Sequence, residues 1–362
     1  VSPKAIAVWE KLSSLEAGVS AFGHDDPDID CMACLLALTE LLEAKGIDCR
    51  TFYAGQPTHT QNRVFASKFE LGNIASKLKG ATKADIAGED GKRTILFLDT
   101  HCKFGKGNMA QAGEHLPDGV DGPHAVIDHH RGKAPDNCDA LISSVGSCST
   151  LVYEMGCMAG HRFSKKAMTA LLLGIEADTD NLRKEGTTER DRAAAEALKQ
   201  EADPQLYLSV VNYPKPKALI DVKGHAYTKS NRVEEEGLII SYAGILQLEN
   251  ESLISNVADE LINTDNIQTV CVITFVADDD RGLCIRVSCR TSSPVLDIDE
   301  LMKNTFGADG FGGRNGNGGG RCPLDDQLML YAATAEQSME EICRTLFEGF
   351  AAKFCTVKGK LS

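Results

Sequence analysis

The chain has 362 residues, 43% of them hydrophobic and 25% charged, the balance of a soluble globular protein with room for two ordinary domains. Its net charge of −14 argues against a grip on long duplex DNA, which needs a basic face, but not against small anionic substrates whose charge bound cations can offset. There is no apolar run of membrane-spanning length and no signal-peptide pattern, and the 13 cysteines form no paired framework. No membrane partner, reduced thiols and a cytoplasmic location are therefore expected, with a short piece missing before Val1.

Ser2-Pro3 followed by Ile6, Trp9, Leu12 and Leu15 predicts an amphipathic helix ending at Gly18. A strand follows at 19–22, a helix at 30–45, a strand at 48–53 and a helix at 65–71. The apolar runs 94–99 and 124–128 read as buried strands, each ending on an aspartate. Residues 149–158, 164–175, 188–200 and 204–211 read as helices. This alternation predicts an α/β fold with a doubly wound, mostly parallel sheet. Tyr213-Pro214-Lys215-Pro216 breaks the pattern. The expected organisation is a domain over 1–212, a linker over 213–234 and a smaller α/β domain over 235–362, with a cleft between the two domains. The second domain should hold a strand at 238–246, a helix at 254–262 and a hairpin of 269–277 with 283–290. A helix at 298–306, a glycine-rich loop at 307–321 and a closing helix at 334–354 complete it.

The stretch Gly23-His24-Asp25-Asp26-Pro27-Asp28-Ile29-Asp30 sits where a strand gives way to a helix, the place where α/β proteins hold ligands. Its imidazole and carboxylates suit divalent cations. An acidic turn with Asp28 or Asp30 as helix cap is the alternative. Asp99, Asp128 and Asp178 recur at the ends of apolar strands or helices. Strand C-termini gather along one sheet edge, so Asp28, Asp30, Asp99 and Asp178 would crowd together with His24 and His129. Ionised carboxylates so placed repel unless cations offset them, which favours a dinuclear metal site over an empty one. Cys31 and Cys34 form a lone C-x-x-C and read as a packed helix face. Ser149, His129 and Asp99 make a nucleophilic triad on paper, but that leaves the surplus carboxylates unexplained.

His24-x3-Asp28-x-Asp30, then Asp99, then Asp128-His129-His130, then Asp178 resembles the DHH phosphoesterase superfamily over roughly residues 18–200, and residues 235–330 look like its DHHA1 domain. The branch it resembles is the oligoribonuclease (nanoRNase) and pAp-phosphatase type. The resemblance implies His24, Asp28 and Asp99 around one ion and Asp30, Asp99, His129 and Asp178 around the other, with Asp99 bridging. It implies two Mn²⁺ per active site, with Mg²⁺ as second candidate. Two ions roughly 3.5–4 Å apart would activate a hydroxide for in-line attack at phosphorus. Asp128 and His130, with Asp99 and His129, would serve catalysis, and His130 and Arg131 would contact the substrate phosphate. His101 is read as facing the cleft, and the motif spacing skips Asp25 and Asp26.

Residues 286–291 resemble the DHHA1 segment whose arginine, here Arg290, meets substrate. Residues 309–321 resemble its glycine loop, which makes Arg314, Gly318, Gly319, Gly320 and Arg321 the expected phosphate contacts. Two positions depart from the family: Arg321 stands where a histidine is usual, and Asp178-Thr179-Asp180-Asn181-Leu182 where D-T-G-x-F is usual. The implied function is hydrolysis of short 5′-phosphorylated oligoribonucleotides, above all dinucleotides such as pGpG, to mononucleotides. Alternatives are a pAp phosphatase, a cyclic-dinucleotide phosphodiesterase and an exopolyphosphatase, with a nucleotide-binding sensor as the non-enzyme reading. A homodimer fits the family.

Overall fold

A computed structural model describes residues 3–24, 27–53, 57, 59–73, 75–77, 81–100, 119–120, 122, 124–130, 138–278, 282–314, 316–324 and 338–361. The chain divides into two compact units, Val1–Tyr213 and Pro214–Ser362. Among the described residues no helix is long and apolar enough to cross a membrane.

The first unit is built on six parallel strands: β1 (Val19–Phe22), β2 (Cys49–Tyr53), β3 (Ala75–Lys77), β4 (Thr94–Leu98), β5 (Ala125–Asp128) and β6 (Asp139–Ile142). They lie in the order β3-β2-β1-β4-β5-β6, so the chain winds outward in both directions from the β1/β4 pair. A ligand crevice in such a sheet lies at that reversal, outside the strand C-termini. One face of the sheet is covered by α1 (Pro3–Ser13), α2 (Ile29–Glu43) and α5 (Cys148–Met158), and α6 (Lys165–Asp178), α7 (Glu189–Glu201) and α8 (Pro204–Val211) pack with these helices in the same apolar core. The other carries a smaller aromatic cluster of Phe22, Phe52 and Phe97 with Ile86 from the short α4 (Lys83–Ala87). α3 (Thr60–Lys68) begins earlier than its apolar residues predict, because His59 caps it through Nδ1.

The second unit is a mixed sheet: β7 (Arg232–Glu235), β8 (Leu238–Gln247), β9 (Thr269–Asp278), β10 (Gly282–Thr291), β11 (Phe311–Arg314) and β12 (Asn317–Pro323), in the order β11-β12-β10-β9-β8-β7. Only β8 and β9 run parallel. One face packs on α9 (Ala218–Tyr227) and α10 (Leu253–Leu261), the other on α11 (Ile298–Phe306) and α12 (Met339–Leu361).

In the second unit two segments differ from the sequence expectation. Residues 218–227, inside the stretch expected as linker, form α9, which buries Leu219, Val222 and Ala226 against the sheet. The glycine-rich stretch is a hairpin rather than a loop, and β12 lies between β10 and β11. Its glycines permit close strand approach: a Cβ on Gly320 would meet the Gly310 carbonyl at 2.0 Å, and one on Gly319 the Val287 carbonyl at 2.8 Å. Backbone groups paired on both sides of a strand are spent within the sheet, so Gly318, Gly319 and Gly320 offer no amide cradle for an anion.

Candidate metal centre

The C-terminal ends of β1, β4 and β5 bring together His24, Asp28, Asp99, Asp128, His129 and His130, and the last turn of α6 adds Asp178. Asp28 caps α2, its Oδ1 accepting from the Cys31 N–H at 3.0 Å, so the capping reading and the ligand reading meet on one residue. His24 Nε2 lies 3.7 Å from Asp28 Oδ1 and 3.9 Å from Asp99 Oδ2. His129 Nε2 lies 3.4 Å from Asp99 Oδ1 and 3.2 Å from Asp178 Oδ2. Asp99 therefore turns one carboxylate oxygen to each histidine. It does so from a left-handed backbone, φ +55°, an uncommon conformation for a side-chain-bearing residue and one that concentrates at functional sites.

Asp30, in the first turn of α2, is fully buried against the N-terminus of α5. It accepts from the Cys148 N–H at 2.7 Å, the Ser149 N–H at 2.9 Å and the Ser147 hydroxyl at 2.7 Å, and also from the Ser149 hydroxyl. A helix N-terminus favours an anion, and these donors aim the carboxylate at the group formed by Asp30, His129 and Asp178, whose ligand atoms lie within 4.8 Å of one another. Ser149 thus serves Asp30 and is no partner of His129 in a nucleophilic triad.

His129 is held at the nitrogen that faces away from the donors, whereas His130 is held at Nδ1, which also lies 3.9 Å from Asp99 Oδ1. His129 Nδ1 donates to the Val145 carbonyl at 3.2 Å, and His130 Nδ1 to Asp128 Oδ1 at 2.8 Å, where the His130 N–H also donates at 3.2 Å. The bond to Val145 leaves His129 Nε2 turned to Asp99 and Asp178, the arrangement of metal-binding imidazoles. Asp128, fully buried, orients His130 rather than His129.

Charge is badly balanced here without a cation. Burial pushes the Asp30 carboxyl up, to about 6, with the charge of Asp178 adding to it. Burial, then the charge of Asp30, pushes Asp99 up as well. Burial alone would lower His129, but the carboxylates of Asp178 and Asp99 beside it raise it instead. Burial would raise Asp28, but His24 more than offsets this and holds it at about 2. Asp99 Oδ1 and His129 Nε2 are buried and make no hydrogen bond among the described residues. Unpaired buried polar atoms of this kind are costly, and a divalent cation would satisfy both.

The sequence pattern of the DHH family, N-terminal domain, matches residues 19–175, and that of the DHHA1 domain matches residues 239–341. The chain belongs to the DHH superfamily. An uncharacterised protein of Methanocaldococcus jannaschii, MJ1633, is 24% identical over 342 residues, which are 93% of this chain and 63% of that protein. A probable manganese-dependent inorganic pyrophosphatase of Streptococcus pyogenes is 29% identical over 192 residues, 52% of this chain and 57% of that protein. The chain thus spans about 60% of the length of these relatives. The crystal structure of an exopolyphosphatase-related protein from Bacteroides fragilis shares the fold, with a TM-score of 0.70 at 15% identity, covering 99% of this chain and 98% of that one.

Against the DHH pattern, the departure after Asp178 has a local explanation. Asp180, at the position where the family usually has glycine, takes φ +47°, and Asn181 and Leu182 follow at +54° and +65°. Asp and Asn tolerate this conformation better than most residues, so the turn survives without the glycine. The expected substrate residues of the DHHA1 domain are placed on one sheet face. Arg286, Ser288 and Arg290 alternate along β10, and Arg321 pairs opposite Arg286. Arg290 Nε donates to Asp259 at 2.6 Å and Nη1 to Ser288 at 3.1 Å, while Arg321 Nη1 lies 3.4 Å from Glu251. Asp25, Asp26, His101, Arg131 and the side chain of Arg314 lie outside the described residues.

Three features at the DHH site escaped the sequence reading. The serines of Ser147-Cys148-Ser149 hold Asp30, and Ser147 is legible only as a helix cap. Asp191 is fully buried and accepts from the Gly146 N–H at 2.8 Å, the Thr150 hydroxyl at 2.6 Å and Thr188 at 2.7 Å, fixing the loop that supplies Val145 and Ser147. Cys31, read as core, has its sulfur within 4.8 Å of ligand atoms of His24 and Asp99.

Proposed function

We propose that this chain is a divalent-metal phosphodiesterase that cleaves short 5′-phosphorylated oligoribonucleotides, dinucleotides above all, to mononucleotides. The observation that carries the reading is Asp99, whose two carboxylate oxygens face two separate donor groups, His24 with Asp28 and His129 with Asp178. In this reading His24, Asp28 and Asp99 hold one ion and Asp30, Asp99, His129 and Asp178 the other, with Mn²⁺ as the ion and Mg²⁺ as its substitute. Such a pair, when bound, supplies an acidified water and neutralises charge developing on the phosphoryl oxygens. The chain's own part is positional. Asp30 and Asp99 fix the spacing of the donors, and the bonds to Val145 and Asp128 hold the imidazoles in place. His130, oriented by Asp128, meets the substrate phosphate with Arg131. The arginine row of the DHHA1 unit, Arg290 and Arg321 with Arg314, reads a terminal phosphate, for which the guanidinium fork is suited. The net charge of −14 disfavours a long polyanion and favours a short one.

Exopolyphosphatase activity is the second reading, favoured by the fold shared with the exopolyphosphatase-related protein. Purified protein with Mn²⁺ is expected to convert 5′-phosphorylated dinucleotides to mononucleotides, and Asp99→Asn to lose this activity by about 100- to 1,000-fold, the roughly 2.7–4 kcal/mol that a single electrostatic group supplies to catalysis. Release of phosphate from polyphosphate with dinucleotides left intact would replace the substrate assignment. Tight dinucleotide binding with no turnover under any divalent ion would make the chain a sensor.

A further inference from the structure

The donor group around His24 contains a sulfur that the carboxylate-and-imidazole description leaves out. Cys31 is fully buried, forms no disulfide, and places its Sγ within 4.8 Å of ligand atoms of both His24 and Asp99. Two features hold it there. Its backbone N–H donates to Asp28 Oδ1 at 3.0 Å, tying it to the adjacent donor. Gly23 leaves the space the thiol occupies: a Cβ at that position would stand 2.3 Å from Sγ. The neighbouring thiols are engaged elsewhere, Cys34 Sγ at 3.8 Å from Asp30 Oδ1 and 3.5 Å from Ser149 Oγ, and Cys148 Sγ at 3.5 Å from the Ile127 carbonyl. Independently of the cysteine, Asp99, 2% exposed, turns Oδ2 to His24 at 3.9 Å, while its Oδ1, buried and without a hydrogen bond among the described residues, faces the neighbouring donor group at His129, so the carboxylate stands between the two groups. A buried carboxylate, an imidazole and a thiol whose ligand atoms lie within 4.8 Å of one another are a cation-binding set with one soft member.

Softness decides preference among cations. Carboxylate and imidazole donors accept Mn²⁺ readily, whereas a thiolate favours Zn²⁺, Co²⁺ and Cd²⁺. We propose that Cys31 is a fourth donor at the first ion position, beside His24, Asp28 and Asp99, and that it shifts this position toward thiophilic divalent cations. Binding transfers the thiol proton to solvent as the sulfur–metal bond forms, with no change in oxidation state. One consequence is that Zn²⁺ competes with Mn²⁺ at this position more strongly than a carboxylate-and-imidazole set allows. The inference rests on the reading of this group as a cation site, and its test separates the two.

The probe is Co²⁺ added to the full chain. Wild type is expected to develop a near-ultraviolet thiolate-to-cobalt charge-transfer band together with visible ligand-field absorption. Cys31→Ala and Cys31→Ser should lose the first and keep the second, and Cys34→Ala should keep both. In competition titrations, the preference for Cd²⁺ over Mn²⁺ should fall in Cys31→Ala on the order of 10- to 100-fold, the scale on which changes around a metal act. Co²⁺ bound with ligand-field absorption but no charge-transfer band, or a band that survives in Cys31→Ala, overturns the role of Cys31 and leaves the cation site standing. Absence of any Co²⁺ or Mn²⁺ binding by calorimetry overturns the cation site and the role of Cys31 with it.

Discussion

At the scale of single residues, support around the donors matters as much as the donors. Asp191 touches none of them, yet its carboxylate gathers Gly146, Thr150 and Thr188, and the loop it fixes carries the Val145 carbonyl bonded to His129 and the Ser147 hydroxyl bonded to Asp30. Asp191→Asn replaces one acceptor oxygen by a donor facing donors. It should lower stability by about 1–3 kcal/mol in urea unfolding and weaken Mn²⁺ binding by roughly tenfold or more in calorimetry. Equal Mn²⁺ affinity in a folded variant would remove the positioning role. Proton linkage gives a second expectation. In the metal-free protein Asp30 is raised to about 6, so its ionised form is disfavoured by folding. That cost is absent below the unfolded value near 4, grows between about pH 4 and 6, and is complete above 6. Mn²⁺ binding needs Asp30 ionised. Its apparent affinity should therefore fall about tenfold per pH unit below 6 from this group alone, while above 6 the proton held by His129 should be released on binding. Calorimetry in buffers of different ionisation enthalpy measures both. The donors themselves were legible in the sequence because each stands at the end of an apolar run. Asp191 and Cys31 were not, because one reads as a capping-box aspartate and the other as core; only their three-dimensional neighbours separate them from ordinary residues.

At the scale of elements, the second donor group depends on how closely α6 approaches α2. Gly174 is the contact point: a Cβ there would meet Ser149 Oγ at 2.3 Å and the Asp30 Cα at 3.2 Å. Asp178 lies one turn further on the same face of α6, so the approach that the glycine permits also brings Asp178 to His129. Gly174→Ala gains roughly 1 kcal/mol of helix propensity, but forced overpacking costs about 1–3 kcal/mol, and the easiest relief, rotating Ser149, gives up a hydrogen bond to Asp30. The net expectation is a small loss in melting temperature with a larger loss of Mn²⁺ affinity; a variant that is stabilised and binds Mn²⁺ normally would show that the contact is not what sets the site. The long apolar strands and helices here were legible from periodicity, often to within a few residues. β3 and β6, of three and four residues, were not, since so short an edge strand carries no periodic signal. β12 was missed for the opposite reason: its glycines signal a loop locally, and only pairing on both sides makes them a strand.

At the scale of the whole chain, each unit has its own apolar cores: the helix-covered sheet of 1–213 on one side and the mixed sheet of 214–362 on the other. Every donor, and every residue that orients one, falls in the first: His24 through Asp30 on β1 and α2, Asp99 after β4, Asp128 to His130 after β5, Ser147 to Ser149, Asp178 and Asp191. The arginines assigned to the terminal phosphate, Arg290, Arg314 and Arg321, all fall in the second. Metal binding and recognition of the terminal phosphate are therefore separable by cutting the chain after Tyr213. The fragment 1–213 should fold, bind Mn²⁺ with the stoichiometry of the full chain, and gain about 2.7 kcal/mol of stability for each bound ion at a free Mn²⁺ concentration a hundred times that site's dissociation constant. It should hydrolyse a small activated phosphodiester that needs no terminal-phosphate contact, yet lose activity on 5′-phosphorylated dinucleotides, chiefly through KM. Retained dinucleotide activity with an unchanged KM would move recognition of the terminal phosphate into the first unit and take Arg290 and Arg321 out of the substrate site; loss of Mn²⁺ binding in a folded fragment would mean that the second unit supplies a donor.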